Sequence, residues 1–170
     1  MKTILTKDKN AKSLTYKFNS NYSIIDTDMI EALKKETLKL KQTIRICMHS
    51  NSDDDLHNMV IAHPFNLYIR PHCNPINSKA YHHIYGDMLM VGLDNNKKEI
   101  FRTILSEKNK IIRIPKNLYL YIKILSNVAI FHEIALGPYT KDTTIYPSWA
   151  PTTTDSKGVN SFIKEYKDAT

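Results

Sequence analysis

Residues 68–86 hold the densest set of side chains that could do chemistry in this chain of 170 residues. Six polar or aromatic side chains recur there at every second position, on either side of a turn rich in Pro and Asn: Arg70, His72, Asn74, Lys79, Tyr81 and His83. Alternate positions of a β-strand share one face, so this spacing predicts that all six face one interior. A guanidinium and an ammonium beside an imidazole suit a phosphate or a carboxylate, which indicates an anion site. The other interpretation is that Lys79 lies on a loop and points to solvent, which leaves the pocket empty.

Glu133 is the carboxylate that could complete such a site, because it lies in the last apolar run of the chain. If it faces inward, it can act as a general acid or base together with His72. If it does not, a salt bridge to Arg113 or Arg45 is the alternative.

The histidines also allow a metal site to be considered. His82 and His83 are adjacent, and adjacent strand residues face opposite sides, so at most one of them can join His72. His49 or Cys73 would have to supply a further ligand. Half-buried strand histidines are the more common outcome of such a pattern, and we favour that interpretation. His49 is also a candidate for the entrance of the pocket.

The elements that must position these residues are mostly short strands. Apolar residues at helical spacing predict one amphipathic helix over residues 28–41, with Asp28 and Glu31 as its capping pair. Beyond it, alternating or apolar runs are separated by turn signals, and they predict strands at 44–48, 56–62, 65–70, 81–85, 88–93, 100–105, 110–114, 119–125 and 129–136. Such a series favours a closed or double-sheet β architecture, of which the jelly roll is one.

Composition limits the function classes. The formal net charge is +7, but only four of the 24 basic residues are Arg and the lysines are scattered, so we do not expect nucleic-acid binding. No run of 18 apolar residues exists, which argues against membrane insertion, and the N-terminus lacks the apolar region of a signal peptide. The two cysteines are typical of reduced thiols in a cytoplasmic protein, so we expect a cytoplasmic location.

Three segments together resemble one known family. They are residues 45–57, which contain RICMHS and DDLH, residues 68–86, and the pair of GPY at 137–139 with PSWAP at 147–151. Their order is similar to that of the WbuC family of cupin-fold proteins, small bacterial proteins found with cell-surface polysaccharide biosynthesis of the O-antigen type. The resemblance spans about residues 43–151.

The resemblance implies four metal-ligand positions, and this chain keeps one of them. His72 matches the first His of the family motif, whereas Asn74 stands at the second His and Lys79 at the Glu. In the second motif, which begins at Pro115, Leu120 stands where the last His is expected. A lone imidazole does not hold a divalent ion, and an ammonium would repel one. We therefore identify no cofactor, and a divalent transition metal is not expected unless His72 belongs to a rearranged site.

These observations together predict an all-β cupin-type double-stranded β-helix (a jelly-roll barrel) with an N-terminal α-helix. Residues 1–25 form a polar arm, 26–151 the single domain, and 152–170 a polar tail with a short helical turn near 162–166. We expect a homodimer that binds a sugar or nucleotide-sugar anion without metal, with Arg70 and Lys79 on the anion and His72 orienting the ligand or acting as acid or base. The alternatives are a metal-dependent isomerase, epimerase or oxygenase, and a non-catalytic structural subunit that uses the 139–149 segment as an interface.

Overall fold

The computed structural model describes residues 5–9, 11, 13–20, 22–138, 140 and 144–166. Within these residues the chain forms ten strands and two helices. In chain order they are β1 (Leu5–Lys7), β2 (Leu14–Phe18), α1 (Thr27–Leu40), β3 (Ile44–Cys47), β4 (Leu56–Pro64), β5 (Lys79–Tyr85), β6 (Met88–Leu93), β7 (Glu99–Leu105), β8 (Ile111–Ile114), β9 (Tyr119–Ile124), β10 (Val128–Leu136) and α2 (Ser156–Glu165).

The strands form two sheets. Seven lie in the order β1-β2-β3-β4-β10-β5-β8, and three lie in the order β7-β6-β9. β2 and β3 are parallel, whereas the other neighbouring strands are antiparallel. In the larger sheet β10 therefore lies between β4 and β5, and these strands carry several of the candidate residues.

The core lies between the two sheets. Inward side chains of the larger sheet, such as Ile61, Tyr81 and Phe131, pack in one buried cluster with Met90 and Ile122 of the smaller sheet. Strict alternation on β9 and β10 explains this arrangement, because every second residue of each strand reaches the shared interior. The fold is mostly β, as expected for a jelly roll.

The outer face of each sheet is covered by one helix. Leu33 of α1 is fully buried against Ile44, Val60 and Ile130 of the larger sheet. Phe162 of α2 is buried against the outer face of the smaller sheet. The apolar stripes of the helices thus cover apolar strand residues that would otherwise meet water.

The helix boundaries follow from capping residues. α1 begins after Asp26, whose carboxylate accepts a hydrogen bond from the Met29 N–H at 2.8 Å. It ends at Lys41, a residue with φ of 52° whose N–H donates to the Thr37 carbonyl. The predicted capping pair of Asp28 and Glu31 is therefore wrong, although the helix itself lies within one residue of the predicted 28–41 at each end.

Three further expectations need correction. No strand forms over residues 65–70, because β4 continues through Pro64 and Asn66 then turns the chain with φ of 64°. The sheets also do not close into a hydrogen-bonded barrel in the described part of the chain. Only an isolated bridge between His72 and Leu120 extends the smaller sheet toward the loop that follows β4. α2, at ten residues, is longer than the helical turn expected near residues 162–166.

Candidate functional site

One end of the two-sheet core, which we call the mouth, is where β5 and β9 begin and β10 ends. His72 lies at this end because its backbone pairs with Leu120: the His72 N–H donates to the Leu120 carbonyl at 3.3 Å, and the Leu120 N–H donates back at 2.9 Å. The Leu120 side chain belongs to the core between the sheets, whereas Tyr119 and Tyr121 face α2. Leu120 therefore points toward the interior, next to its bridge partner His72.

Lys79 and Glu133 form an ion pair at the mouth. The Lys79 Nζ lies 3.0 Å from the Glu133 Oε1, and both side chains are largely buried. Glu133 faces inward because it alternates with His132 along β10 and lies directly across from Tyr81 of β5. Arg113, the other proposed partner, lies on the outer face and donates to the Ser78 hydroxyl at 3.0 Å.

Glu133 stays ionised in spite of its burial. Burial raises the pKa of this carboxyl, but the Lys79 ammonium and its hydrogen bond lower the pKa by more, so the net direction is downward. Burial also raises the pKa of the Tyr81 hydroxyl, and the Glu133 charge adds to that effect. At neutral pH the pair of Lys79 and Glu133 is therefore ionic and Tyr81 is neutral.

His72 is held as a neutral imidazole. Burial lowers its pKa, and the nearby Lys79 ammonium lowers it further. Its Nδ1 lies 3.0 Å from the Arg70 carbonyl oxygen, which can only accept, so Nδ1 carries the proton. The Nε2 atom is then left with a lone pair that can accept a hydrogen bond. We use the name mouth cluster for His72, Lys79, Tyr81 and Glu133.

Arg45, which the sequence offered only as an alternative salt-bridge partner of Glu133, lies on the same inward face as the site. It lies on β3 between two residues that face α1, so its own side chain lies on the inward face of the sheet. Its charge lowers the pKa values of both Glu133 and His72. The guanidinium also donates a hydrogen bond to the Ser13 hydroxyl. Alternation along β3 is the sequence signal that indicates an inward side chain for Arg45.

The cavity at the mouth is small. It has a volume of about 20 Å³ and is lined by His72, Asn74, Lys79 and Tyr81 on its polar side and by Leu118 and Leu120 on its apolar side. Such a volume holds one water-sized group. Four of the six residues predicted for the anion site thus line one cavity, and a whole sugar ring does not fit in it.

Arg70 lies outside this cavity, which corrects its predicted place beside Lys79. Its Nε donates to the Ala150 carbonyl at 3.2 Å, and its guanidinium carbon lies 4.8 Å from the centre of the Tyr146 ring. The Tyr146 ring centre is in turn 6.1 Å from that of His72, and the residue is 50% exposed. Arg70 and Tyr146 therefore form a rim beside the mouth, and we refer to them as the rim pair.

His83 and His49 do not join the mouth cluster, which corrects their predicted inclusion. His83 lies on the inward face of β5, but four residues along the strand place it about 13 Å from Lys79. Its ring nitrogens are 3.1 Å from the Gly86 carbonyl and 3.5 Å from a Glu107 carboxylate oxygen. His49 stacks on His57 with ring centres 4.2 Å apart, outside the cavity lining.

The rearranged metal site considered above has no convergent ligand set among the described residues. Nowhere in that part of the chain do three His, Cys, Asp or Glu side chains come together in a way that could hold an ion. His82 lies on the outer face against His132, with ring centres 5.4 Å apart, and Cys73 packs in the cluster under α2. At the mouth, the residues of ligand type are His72, Cys73 and Glu133, and the Glu133 carboxylate already pairs with the Lys79 ammonium.

The closing segment is only partly described. Tyr139 of the GPY motif lies outside the described residues, so its predicted interface role stays a prediction. Trp149 of the PSWAP motif packs edge-on against Tyr119, with ring centres 5.7 Å apart. Its indole N–H donates to the Asn95 carbonyl at 3.1 Å. Trp149 thus fastens the closing segment to the outer side of the smaller sheet.

Comparison with known proteins gives fold-level matches. No family model matches the chain, and no curated protein matches it in sequence. Among solved structures, the capsular polysaccharide assembling protein CapF from Staphylococcus aureus is 12% identical with a TM-score of 0.53, over 61% of this chain and 31% of CapF. Protein SO0799 from Shewanella oneidensis is 9% identical with a TM-score of 0.54, over 74% of this chain and 87% of that protein.

These structural neighbours are cupin-fold proteins. This chain has a cupin fold. It spans less than a third of the length of CapF, so the likeness concerns one part of that protein. At the mouth, His72 and Leu120 lie side by side as bridge partners, next to the Lys79–Glu133 ion pair and Asn74. No helix in the described residues is both long and apolar enough to cross a membrane.

Proposed function

We propose that this cupin binds a sugar or nucleotide-sugar anion at its mouth without a metal ion, in the metabolism of cell-surface polysaccharide. The setting rests on the resemblance of three sequence segments to the WbuC family, and a fold-level likeness to a capsular polysaccharide assembling protein is consistent with it. The binding mode rests on the charges and contacts of the mouth cluster.

The observation that carries the proposal is the charge balance around Glu133. Two cations, Lys79 and Arg45, act on this one carboxylate, and His72 is neutral. Of these two cations, Lys79 lines the cavity at the mouth, and Arg45 lies further away on the inward face of β3. Charge in a partly desolvated cleft attracts an oppositely charged ligand more strongly than it would in water.

The size of the cavity limits what enters it. A volume of about 20 Å³ admits one oxygen-sized group, so a carboxylate or phosphate oxygen of the ligand reaches Lys79 while the sugar ring stays outside. The rim pair supplies the outer contact: the exposed Tyr146 ring offers a stacking face, and the Arg70 guanidinium beside it suits a second anionic oxygen.

The residues of the mouth cluster then have distinct roles. Lys79 donates to the entering oxygen and shares its charge between that oxygen and Glu133. His72 accepts a hydrogen bond from a sugar hydroxyl at Nε2, because its Nδ1–H already donates to the Arg70 carbonyl. Tyr81 keeps Glu133 oriented from the facing strand. If the bound sugar is transformed, His72 and Glu133 are the groups able to move a proton.

The proposal is tested by calorimetric titration with a hexose phosphate and a nucleoside-diphosphate hexose. Arg70→Ala, and the double variant Lys79→Met with Glu133→Gln, each remove one charged contact, and we expect each to weaken binding about 10- to 100-fold. Arg113→Ala removes an outward guanidinium and serves as the matched control with unchanged binding. Unchanged affinity in both test variants would refute the proposal.

Elemental analysis of protein purified without chelator accompanies the titration, because near-stoichiometric transition metal would favour the metal-dependent alternative.

A non-catalytic subunit is the second candidate, and the small volume of the cavity favours it. In that case the Lys79–Glu133 pair only neutralises buried charge where other cupins hold a metal. The two candidates differ in a direct way. A subunit gives a stable heteromeric partner in pull-down from its host cell and keeps that partner in the Arg70 and Lys79 variants, whereas the sugar-binding proposal requires an affinity that those variants lose.

A further inference from the structure

A second and much larger hollow lies on the far side of the smaller sheet from the mouth. It is a groove of about 280 Å³ between α2, the closing segment at residues 148–151 and the turn between β6 and β7. Its wall is the cluster on the outer face of that sheet, so the sheet itself separates the groove from the mouth cavity. Neither the proposed function nor the sequence patterns make use of it.

The aromatic face that borders the groove belongs to Trp149, because Phe162 itself is only 2% exposed. Trp149 and Phe162 lie nearly parallel, with an angle of 10° between their planes and 6.2 Å between their centres. Trp149 is fixed by its edge contact with Tyr119 and by its hydrogen bond to the Asn95 carbonyl. Rigid aromatic area next to polar groups is typical of small-molecule sites, because little side-chain entropy is lost on binding.

The polar groups of the groove are mostly acceptors. Lys97 lies over the Phe162 ring, with 5.0 Å from Nζ to the ring centre, and pairs with the Glu165 carboxylate. Asp155, the N-cap of α2, uses one oxygen to accept from the Gly158 N–H. Ser161 adds a hydroxyl that can donate or accept. Two carboxylates against one ammonium give the groove a negative balance.

We propose that this groove binds a neutral saccharide of about one pyranose ring. The carboxylates can only accept hydrogen bonds, so they require a ligand with several donors, and sugar hydroxyls provide them. The negative balance disfavours phosphates and other anions, which separates this ligand from the one proposed for the mouth. The apolar face of a pyranose suits the aromatic side, and the volume is just below that of drug-sized pockets.

The chain offers a selective probe, because Trp149 is its single tryptophan. Tryptophan fluorescence is recorded while glucose, galactose, rhamnose or N-acetylglucosamine is titrated, with inorganic phosphate as the anionic comparison. We expect a saturable change with at least one neutral sugar and none with phosphate. No change with any sugar overturns the proposal, and so does a response to phosphate alone.

Two variants test whether the response arises in the groove. Ser161→Phe fills the groove from α2, and we expect it to abolish the response; Ser156→Phe makes the same exchange on the same helix outside the groove lining, and should leave it intact. Glu165→Gln removes an acceptor charge and should weaken binding about tenfold. A response that survives Ser161→Phe, in protein with an unchanged circular dichroism spectrum, overturns the proposal.

Discussion

Replacing Lys79 with methionine tests the electrostatics of the mouth most directly. Methionine keeps much of the apolar stem, so the change removes the ammonium with little loss of packing. Glu133 then stays buried without the cation that lies 3.0 Å from it in the native protein. Breaking a fully buried pair on one side costs about 3–5 kcal/mol of unfolding free energy. Because the two side chains keep 21% and 12% of their exposure, water compensates in part, and we expect a loss of about 2–3 kcal/mol.

The pH dependence of the loss identifies its cause. In the native protein the pKa of Glu133 is lowered, so the stability from the pair is fully present above the unfolded pKa of about 4.3 and disappears as pH falls through the lower folded value. Without Lys79, burial becomes the dominant effect and raises the folded pKa. A raised carboxyl pKa favours folding below the unfolded pKa and loses that contribution as pH rises through the folded value. The difference between native and variant protein should therefore be full at pH 7, decrease as pH falls through 4, and be smallest below the folded pKa of native Glu133.

The assay is urea unfolding followed by the fluorescence of Trp149, since urea is uncharged and does not screen the ion pair. A double-mutant cycle with Glu133→Gln separates the pair from packing effects. We expect Lys79→Met and Glu133→Gln together to recover at least half of the loss seen for Lys79→Met alone. A coupling free energy under about 0.5 kcal/mol, or a loss that does not change between pH 4 and pH 7, would refute the reasoning.

Three further outcomes follow from single contacts. Asp26→Ala should lower the unfolding free energy by about 1 kcal/mol through loss of the α1 cap, while Asp26→Asn should lower it by less than half as much in the same urea assay. Gly86→Ala should cost about 2–4 kcal/mol, because Gly86 has φ of 69° and a Cβ would press into the Val128 carbonyl oxygen; a cost below 1 kcal/mol contradicts this. Burial raises the thiol pKa values of Cys47 and Cys73, so an aromatic disulfide reagent should react with native protein at least about tenfold more slowly than with urea-unfolded protein; equal rates would show that the thiols are accessible.

The strands were the most predictable part of the fold. Alternating or apolar runs placed eight of the nine predicted strands close to observed ones, because a strand buried on one face alternates and one buried on both, such as β6, is apolar throughout. The predicted strand at 65–70 is absent because β4 runs on to Pro64, which pairs with Val128. A proline is tolerated at the last position of a strand, and local sequence does not reveal which partner the strand has.

The sequence predicted which face of a strand the site residues lie on, but not how far along the strand they lie from one another. Alternation correctly set Tyr81 and Lys79 on the inward side of β5 with His83, yet their positions along the strand put His83 at the opposite end of the core. Arg70 shared the spacing of His72 but lies in an irregular segment, where alternation has no meaning, and its guanidinium follows the closing segment. Spacing describes residues within one strand, whereas the distance between residues of different strands depends on the register of those strands.

Residue order was enough to predict a mostly β architecture, the position of α1 and the presence of cations near His72. Tertiary structure decided the rest. Only the antiparallel register of β10 and β5 brings Glu133 to Lys79 across 54 residues of chain, and only the bridge to Leu120 turns His72 toward them. An ion pair needs two atoms within a few ångströms, and in a sheet of non-local contacts that distance is set by strand pairing and not by sequence neighbourhood.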